Sequence, residues 1–342
     1  MAIIPNFVER LAFSFNVAPA FMLDYLGAQA FRATTVAFKL GVFSALAERA
    51  GTASELARRL DVDERGVGLL LDTLEALGYV TKNRDSTYAL RPAVNRWLPT
   101  FSPASVQFFD RVVFDWWQHL EESVRRGGSG MPEMDDGAIK DLQAGMIALA
   151  LMCADEIAAR VKLPRDARQL VDLGGGHGLY SVKFCQRNPS LSATIVDVPS
   201  ALGAARETIA RERVGDRVSL REGNFLTDDF GSGYDVALLF NVVHYHLPDK
   251  NQDLLARVAR SLNVGGVLVI MDQMPGRVFG PTVKALFRLQ ALHLFNAVSG
   301  QTYTADEIAG WLEQAGLSRP RRIELRTAMG HTVVTATKPR GT

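Results

Sequence analysis

The sequence contains a glycine-rich turn between a predicted strand and a predicted helix. Residues 169–173 have apolar strand character, Gly174, Gly175 and Gly176 follow, and helix-like apolar spacing resumes at Leu179. Three consecutive glycines let the backbone turn sharply and approach a ligand without a Cβ in the way. Such a turn is typical of nucleotide-type sites in doubly wound folds. The dinucleotide fingerprint is absent, because it would need a further glycine at residue 179 or 181.

A carboxylate follows at the end of the next predicted strand. Residues 193–197 are short and β-branched and end in Asp197. An acidic residue about 20 positions after such glycines is placed to bind a ribose, since both ribose hydroxyls can donate to one carboxylate. The two motifs together predict a nucleoside-containing ligand.

At this point the chain resembles a known family. The run Asp172-Leu-Gly-Gly-Gly-His-Gly178 is similar to the first motif of the class I S-adenosylmethionine-dependent methyltransferases. More narrowly, the whole chain resembles the small-molecule O-methyltransferases of the plant caffeic-acid and bacterial polyketide-tailoring type. The resemblance implies an α/β fold: a Rossmann-like, doubly wound and mostly parallel sheet with a C-terminal antiparallel hairpin, preceded by a mostly helical winged-helix dimerisation domain. It also implies S-adenosyl-L-methionine as cofactor and S-adenosyl-L-homocysteine as its product.

The resemblance assigns cofactor contacts to the ends of four strands. These are Gly174, Gly175, Gly176, Asp197, Val198, Asn224, Phe225, Phe240 and Asn241. Asn224 stands where the family usually has an acid that accepts from the adenine amino group. An amide oxygen can still accept this hydrogen bond, although the charge assistance is lost.

His244 falls at the position of the family's general base. A phenol has a pKa of about 10, so an imidazole within hydrogen-bond reach is needed to take its proton as the oxygen attacks the sulfonium methyl. Asp272 is the expected orienting acid. The family's second acid and its neighbouring arginine are replaced here by Thr302 and Tyr303. Two alternatives remain open: His244 only caps the strand, or His246 acts in its place.

The acceptor site is also assigned by resemblance. The predicted helix over residues 282–298 supplies His293 and Asn296, the helix over 138–161 supplies Met146, and the aromatic-rich stretch 102–126 supplies Trp117. The alternative is that these residues are helix surface or core. No metal is expected, because neither a cysteine nor a third histidine accompanies His244 and His246 at ligand spacing.

Residue patterns and the resemblance together predict three segments. Residues 1–100 form a helical winged-helix module, which the resemblance makes a dimerisation domain. Residues 101–163 are linking helices, which the resemblance places beside the substrate, and 164–342 is the cofactor-binding domain. Thr52 and Glu55 form a predicted capping box. The first 35 residues carry too many aromatic side chains for one face of a lone helix, which indicates a homodimer contact. The third helix of the winged module is too apolar for a DNA recognition helix, so nucleic-acid binding is disfavoured.

Composition favours a cytoplasmic enzyme. The 342 residues are 47% hydrophobic, carry a formal net charge of +1 and include two cysteines in apolar surroundings. Neither a signal peptide nor a spanning helix is indicated, and no membrane partner is expected. The predicted function is methyl transfer to a hydroxyl of a small, aromatic or polyketide-like acceptor. Carbon or nitrogen methylation, and a non-methylating decarboxylase, hydroxylase or cyclase on the same fold, remain open, with a winged-helix DNA-binding regulator as the remote alternative.

Overall fold

The structure is a computed structural model that describes residues 15, 19, 21–96, 101–132, 134–275, 280–328 and 330–340. The chain divides into two compact units, Met1–Arg111 and Val112–Thr342. The dimer prediction refers to the first 35 residues, and most of the first 20 of these lie outside the described residues.

The first unit is helical with one small hairpin. Its elements are α1 (Phe21–Lys39), α2 (Val42–Glu48), α3 (Ala53–Leu60), α4 (Glu64–Ala76), β1 (Val80–Lys82), β2 (Tyr88–Leu90), α5 (Pro92–Asn95) and α6 (Pro103–Arg111). The capping box occurs as predicted, with the Thr52 side chain accepting from the Glu55 amide. α1 and α2 are separate helices, because Gly41 adopts a left-handed φ of 77° between them.

The second unit begins with irregular helical turns instead of the single helix predicted over 102–126. A π-helical turn (Val112–Trp116) and a 3-10 turn (Trp117–His119) separate α6 from α7 (Leu120–Arg126). The prediction was wrong because a tertiary contact decides the backbone here: the Trp116 carbonyl accepts a hydrogen bond from Asn296 Nδ2 at 3.0 Å. A partner inserted into the helical ladder is a common cause of such irregularity.

A seven-stranded sheet forms the rest of the second unit. Its strands are β3 (Gln169–Leu173), β4 (Ser192–Asp197), β5 (Val218–Glu222), β6 (Tyr234–Phe240), β7 (Leu262–Gln273), β8 (Ser318–Glu324) and β9 (His331–Thr337). The order is β5-β4-β3-β6-β7-β9-β8; the first five are parallel, and β8 and β9 form the predicted antiparallel hairpin at one side. The helices are α8 (Asp136–Arg160), α9 (Leu179–Arg187), α10 (Leu202–Glu212), α11 (Pro248–Ser261), α12 (Gly280–Val298) and α13 (Ala305–Gln314).

Both faces of the sheet are buried. Leu170, Leu238 and Val269 belong to the core on one face, and their strand neighbours Val171 and Leu239 to the core on the other. Alternating burial on two covered faces is expected of a parallel sheet. The parallel strands therefore end at one common edge, where ligands bind in such folds.

Helix α8 has an apolar interior face. Its residues 137–160 have the length and hydropathy of a membrane span. Ala150, Cys153, Ala154 and Ile157 on this helix are buried in the core that packs on the sheet. Burial in a protein core therefore accounts for part of the apolar composition of this segment.

Candidate active site

The glycine turn lies directly after β3, at the ligand-binding edge of the sheet. Gly174 has a left-handed φ of 73°. A Cβ on Gly174 would lie 2.8 Å from Val242 Cγ2, and one on Gly175 would lie 2.7 Å from the Asp172 carboxyl group. Both positions therefore require glycine for packing as well as for access to a ligand.

Asp197 ends the neighbouring strand β4 and faces the same turn. Its Oδ2 accepts from the Gly176 amide at 2.9 Å, and its Oδ1 accepts from the Val198 amide at 2.8 Å. Burial raises the pKa of this carboxyl group, and the two backbone hydrogen bonds oppose that shift. Each oxygen keeps a further acceptor position, so the carboxylate is fixed in place with capacity for two hydroxyl donors.

A cavity of about 580 Å³ opens beside these two motifs. Met146 from α8 lines this cavity. Most of the residues assigned to the cofactor line it as well: Gly174, Gly175, Gly176, Asp197, Val198, Phe225, Phe240 and Asn241. Sequence reasoning missed other lining residues, among them His177, Tyr180 and Tyr245. Tyr180 could have been predicted from the sequence, because it lies in the first turn of the helix that follows the glycines.

Asn224 is placed differently from the prediction. It is exposed and is not part of the cavity lining. Its side-chain oxygen accepts from the Leu226 amide at 3.0 Å, so the local turn uses one of the two lone pairs of the acceptor that was expected to meet an adenine amino group. Phe225, the next residue, is the one that reaches the cavity.

Two buried acceptors in the cavity lining have no partner in the described protein. They are Asp172 Oδ1 and Asn241 Oδ1. The other Asp172 oxygen accepts from Ser181 Oγ at 2.7 Å. Burial, together with the nearby charge of Asp197, raises the pKa of Asp172 to about 7. Unsatisfied buried acceptors of this kind are costly unless a ligand supplies donors, and the ammonium group of S-adenosylmethionine is such a donor. The residues present therefore fit the implied cofactor.

His244 lies in a 3-10 turn (Val243–Tyr245), not at the end of the strand as predicted. Strand β6 ends at Phe240 because Asn241 adopts a left-handed φ of 55°. His244 Nδ1 lies 2.7 Å from Asp272 Oδ1, and both side chains are buried. Asp272 belongs to β7 itself and does not follow it. A carboxylate on Nδ1 keeps the proton there and leaves Nε2 as a free base.

Hydrogen bonds to its backbone carbonyls stabilise the turn that carries His244. The Gln301 amide donates to the His244 carbonyl at 3.0 Å, and the Tyr303 hydroxyl donates to the His246 carbonyl at 2.6 Å. Asn251 Nδ2 donates to the carbonyls of Val243 and His246 at 2.9 and 3.1 Å. The tyrosine at position 303 therefore fixes the turn through its hydroxyl. His246 itself lines the cavity, and burial and the neighbouring His244 lower its pKa.

The residues assigned to the acceptor lie in two different settings. His293 stacks on Trp116, and its Nδ1 accepts from Trp117 Nε1 at 3.3 Å. Asn296 is fully buried: its amide nitrogen donates to the Trp116 carbonyl, and its oxygen accepts from Ser123 Oγ at 2.8 Å. These contacts favour a packing role for Asn296, which joins α12 to the irregular turns. Within the described ranges, no group of three or more histidine, cysteine or acidic side chains is arranged to hold a metal.

The sheet has the strand order of a class I methyltransferase. The glycine turn that follows β3 and the carboxylate of Asp197 at the end of β4 are the cofactor-binding features of that class. The model of the O-methyltransferase domain matches residues 117–318, and that of the O-methyltransferase dimerisation domain matches residues 25–100. The chain therefore belongs to the O-methyltransferase family and is an S-adenosylmethionine-dependent enzyme that methylates a hydroxyl of a small molecule.

Individual relatives are distant but cover nearly the whole chain. The 3-hydroxy-5-methyl-1-naphthoate 3-O-methyltransferase of Streptomyces sahachiroi is 28% identical over 317 residues, which are 89% of this chain and 90% of the relative. The L-tyrosine C(3)-methyltransferase of Streptomyces lavendulae is 26% identical over 338 residues, 91% of this chain and 90% of the relative. The crystal structure of human N-acetylserotonin methyltransferase in complex with S-adenosylmethionine has a TM-score of 0.82 at 20% identity and covers 99% of this chain and 100% of its own.

Proposed function

We propose that the acceptor is a phenol-type aromatic or polyketide-like molecule whose hydroxyl is deprotonated by His244. The observation that carries this proposal is the buried hydrogen bond of 2.7 Å between His244 Nδ1 and Asp272 Oδ1, in a turn adjoining the cavity. The carboxylate holds the imidazole in the tautomer whose Nε2 lone pair accepts a proton. The relative from S. sahachiroi acts on a hydroxynaphthoate, which supports an aromatic acceptor.

The residues divide the work between binding and proton transfer. When bound, S-adenosylmethionine supplies an electrophilic methyl group. Asp197 would hold the ribose hydroxyls, Asp172 and Asn241 would accept donors of the amino acid part, and Phe225 would contact the adenine. His244 takes the phenol proton as the oxygen attacks, and Asp272 stabilises the imidazolium that forms. The reaction needs no metal in this scheme, so turnover should persist in a chelator such as EDTA.

The base role is tested by His244→Gln. This change should lower kcat by roughly 10²- to 10⁴-fold, the usual contribution of a positioned general base, while the affinity for S-adenosylhomocysteine stays nearly unchanged. Asp272→Asn should cause a smaller loss, and His246→Gln the smallest. Near wild-type turnover in His244→Gln would refute the base role. Methyl transfer to the hydroxyl by proximity alone would then explain the site better.

The family membership also supports proposals about oligomeric state and cellular location. The dimerisation-domain match at residues 25–100 supports a homodimer formed through the first unit. We place residues 101–163 beside the acceptor and residues 164–342 around the cofactor. We also infer a cytoplasmic location, which the two free, buried cysteines support.

A further inference from the structure

Three aromatic side chains form a rigid group where α12 meets the irregular turns. The rings of Trp116 and His293 are parallel within 3°, with centroids 5.8 Å apart. The neighbouring Trp117 donates its indole N–H to His293 Nδ1 at 3.3 Å. The plane of the imidazole and one of its nitrogens are therefore fixed by two tryptophans.

This arrangement decides the tautomer of His293. An indole N–H can only donate, so Nδ1 must be the accepting nitrogen and the ring proton must sit on Nε2. Burial, and secondly the nearby His244, lower the pKa of His293 to about 4, so the ring stays neutral at physiological pH. The result is a fixed, uncharged donor.

The Nε2–H of His293 is available to a ligand. In the part of the chain that the structure describes, no side chain or carbonyl accepts this hydrogen. Nε2 is also not one of the fully buried polar atoms that lack a hydrogen-bond partner. Helix α12 contacts the turn that carries His244, and His244 is near enough to His293 to help lower its pKa. An acceptor presented to His244 therefore lies close to His293.

The two histidines have opposite polarity. His244 donates from Nδ1 to Asp272 and presents a lone pair at Nε2, whereas His293 accepts at Nδ1 and presents a hydrogen at Nε2. A hydroxyl suits the first and an oxygen lone pair suits the second. A phenol hydroxyl can donate to the first, and an acceptor molecule with a second oxygen can offer that oxygen to the second.

We propose that His293 is a specificity-determining residue that donates to a carbonyl or carboxylate oxygen of the acceptor, so that the enzyme prefers hydroxy-aromatic carbonyl or carboxylate compounds over simple phenols. Trp117 is the positioning residue that holds His293 in the donating tautomer. The proposal rests on the proposed function, since it takes the hydroxyl to be held at His244.

Matched probes test the preference by binding. The probes are 3-hydroxy-1-naphthoate and 3-hydroxy-2-naphthoate, which both become 2-naphthol when the carboxylate is removed. Their Kd values are measured by calorimetry on the full-length protein with saturating S-adenosylhomocysteine. We expect the wild type to bind at least one carboxylate probe about 10-fold or more tightly than 2-naphthol, as a hydrogen bond to a charged group implies. His293→Ala should remove this preference and leave the affinity for 2-naphthol within about 2-fold.

Two further variants separate hydrogen bonding from packing. His293→Gln keeps an N–H donor and should restore part of the preference, whereas Trp117→Phe keeps a ring but frees the tautomer and should lose part of it. In ¹⁵N NMR of labelled histidine, His293 should show the Nε2–H tautomer down to about pH 5 in the wild type and a tautomer mixture in Trp117→Phe.

Failure of this proposal is distinguishable from failure of the proposed function. His293→Ala should raise KM for the carboxylate acceptor with kcat near wild type, whereas His244→Gln should lower kcat. Equal affinity of the wild type for all three probes, or equal loss for all three in His293→Ala, would overturn the specificity role and leave the base role of His244 standing.

Discussion

Asp197 combines burial with two backbone hydrogen bonds, which fixes its carboxylate before any ligand arrives. Asp197→Ala should weaken S-adenosylhomocysteine binding by about 1.5 to 3 kcal/mol, the range for hydrogen bonds to a charged group. Calorimetry measures the affinity, and circular dichroism verifies that the variant is folded. An unchanged affinity in a folded variant would move the ribose site elsewhere.

Asp172 should make the stability of the ligand-free protein depend on pH. Its folded pKa of about 7 lies above the ordinary value of 3.8, so the folded state favours the protonated form. Stability from this group is therefore complete below about pH 4 and is lost as pH rises through about 7. Between pH 5 and 8, urea unfolding should show the wild type losing about 2 to 3 kcal/mol relative to Asp172→Asn.

Saturating S-adenosylhomocysteine should reduce this loss, because its ammonium group would stabilise the ionised carboxylate. Parallel pH profiles for the wild type and Asp172→Asn without ligand would show that Asp172 does not titrate in this range.

At the scale of elements, the turn after β6 depends on a segment far along the chain. Tyr303→Phe removes only the hydroxyl that donates to the His246 carbonyl at 2.6 Å and keeps the ring that packs on Trp311. We expect roughly a 10-fold loss of kcat, because a small displacement of a catalytic group is costly, with little change in cofactor affinity.

Tyr234→Phe is the matched control for this prediction. The Tyr234 hydroxyl is also buried and donates to the Phe230 carbonyl at 2.6 Å, but it does not contact the base turn. Both variants should lose about 1 kcal/mol of stability, and only Tyr303→Phe should lose turnover. Equal turnover of the two variants would show that the hydroxyl of Tyr303 is structural.

At the scale of the whole molecule, α1 exposes apolar side chains. Phe21 is 74% exposed and Tyr25 is 49% exposed in the single chain. The double variant Phe21→Asp/Tyr25→Asp should convert a dimer to monomers, since charged groups are excluded from the centre of such an interface. Sedimentation velocity at micromolar concentration gives the measurement.

Val264→Asp, on an exposed residue at the opposite end of β7 from Asp272, is the control and should leave the dimer intact. A wild-type chain that sediments as a monomer would contradict the homodimer proposal.

The sequence by itself determined the parts that depend on local pattern. The glycine turn and the capping box at Thr52 were predicted from local pattern, and the sheet with its C-terminal hairpin was predicted through the resemblance that the glycine motif carries. The hydrogen bond between His244 and Asp272 was also expected, although only through resemblance to a family, and the roles of these residues in catalysis remain predictions.

The tertiary structure alone decided features that need contacts between distant residues. Asn296 reaches across 180 positions to the Trp116 carbonyl and replaces a regular helix with irregular turns. Trp117 reaches 176 positions to set the tautomer of His293. Such pairs cannot be predicted from local sequence patterns. A hydrogen bond between distant residues depends on where the folded chain brings the two groups and not on their spacing along the chain.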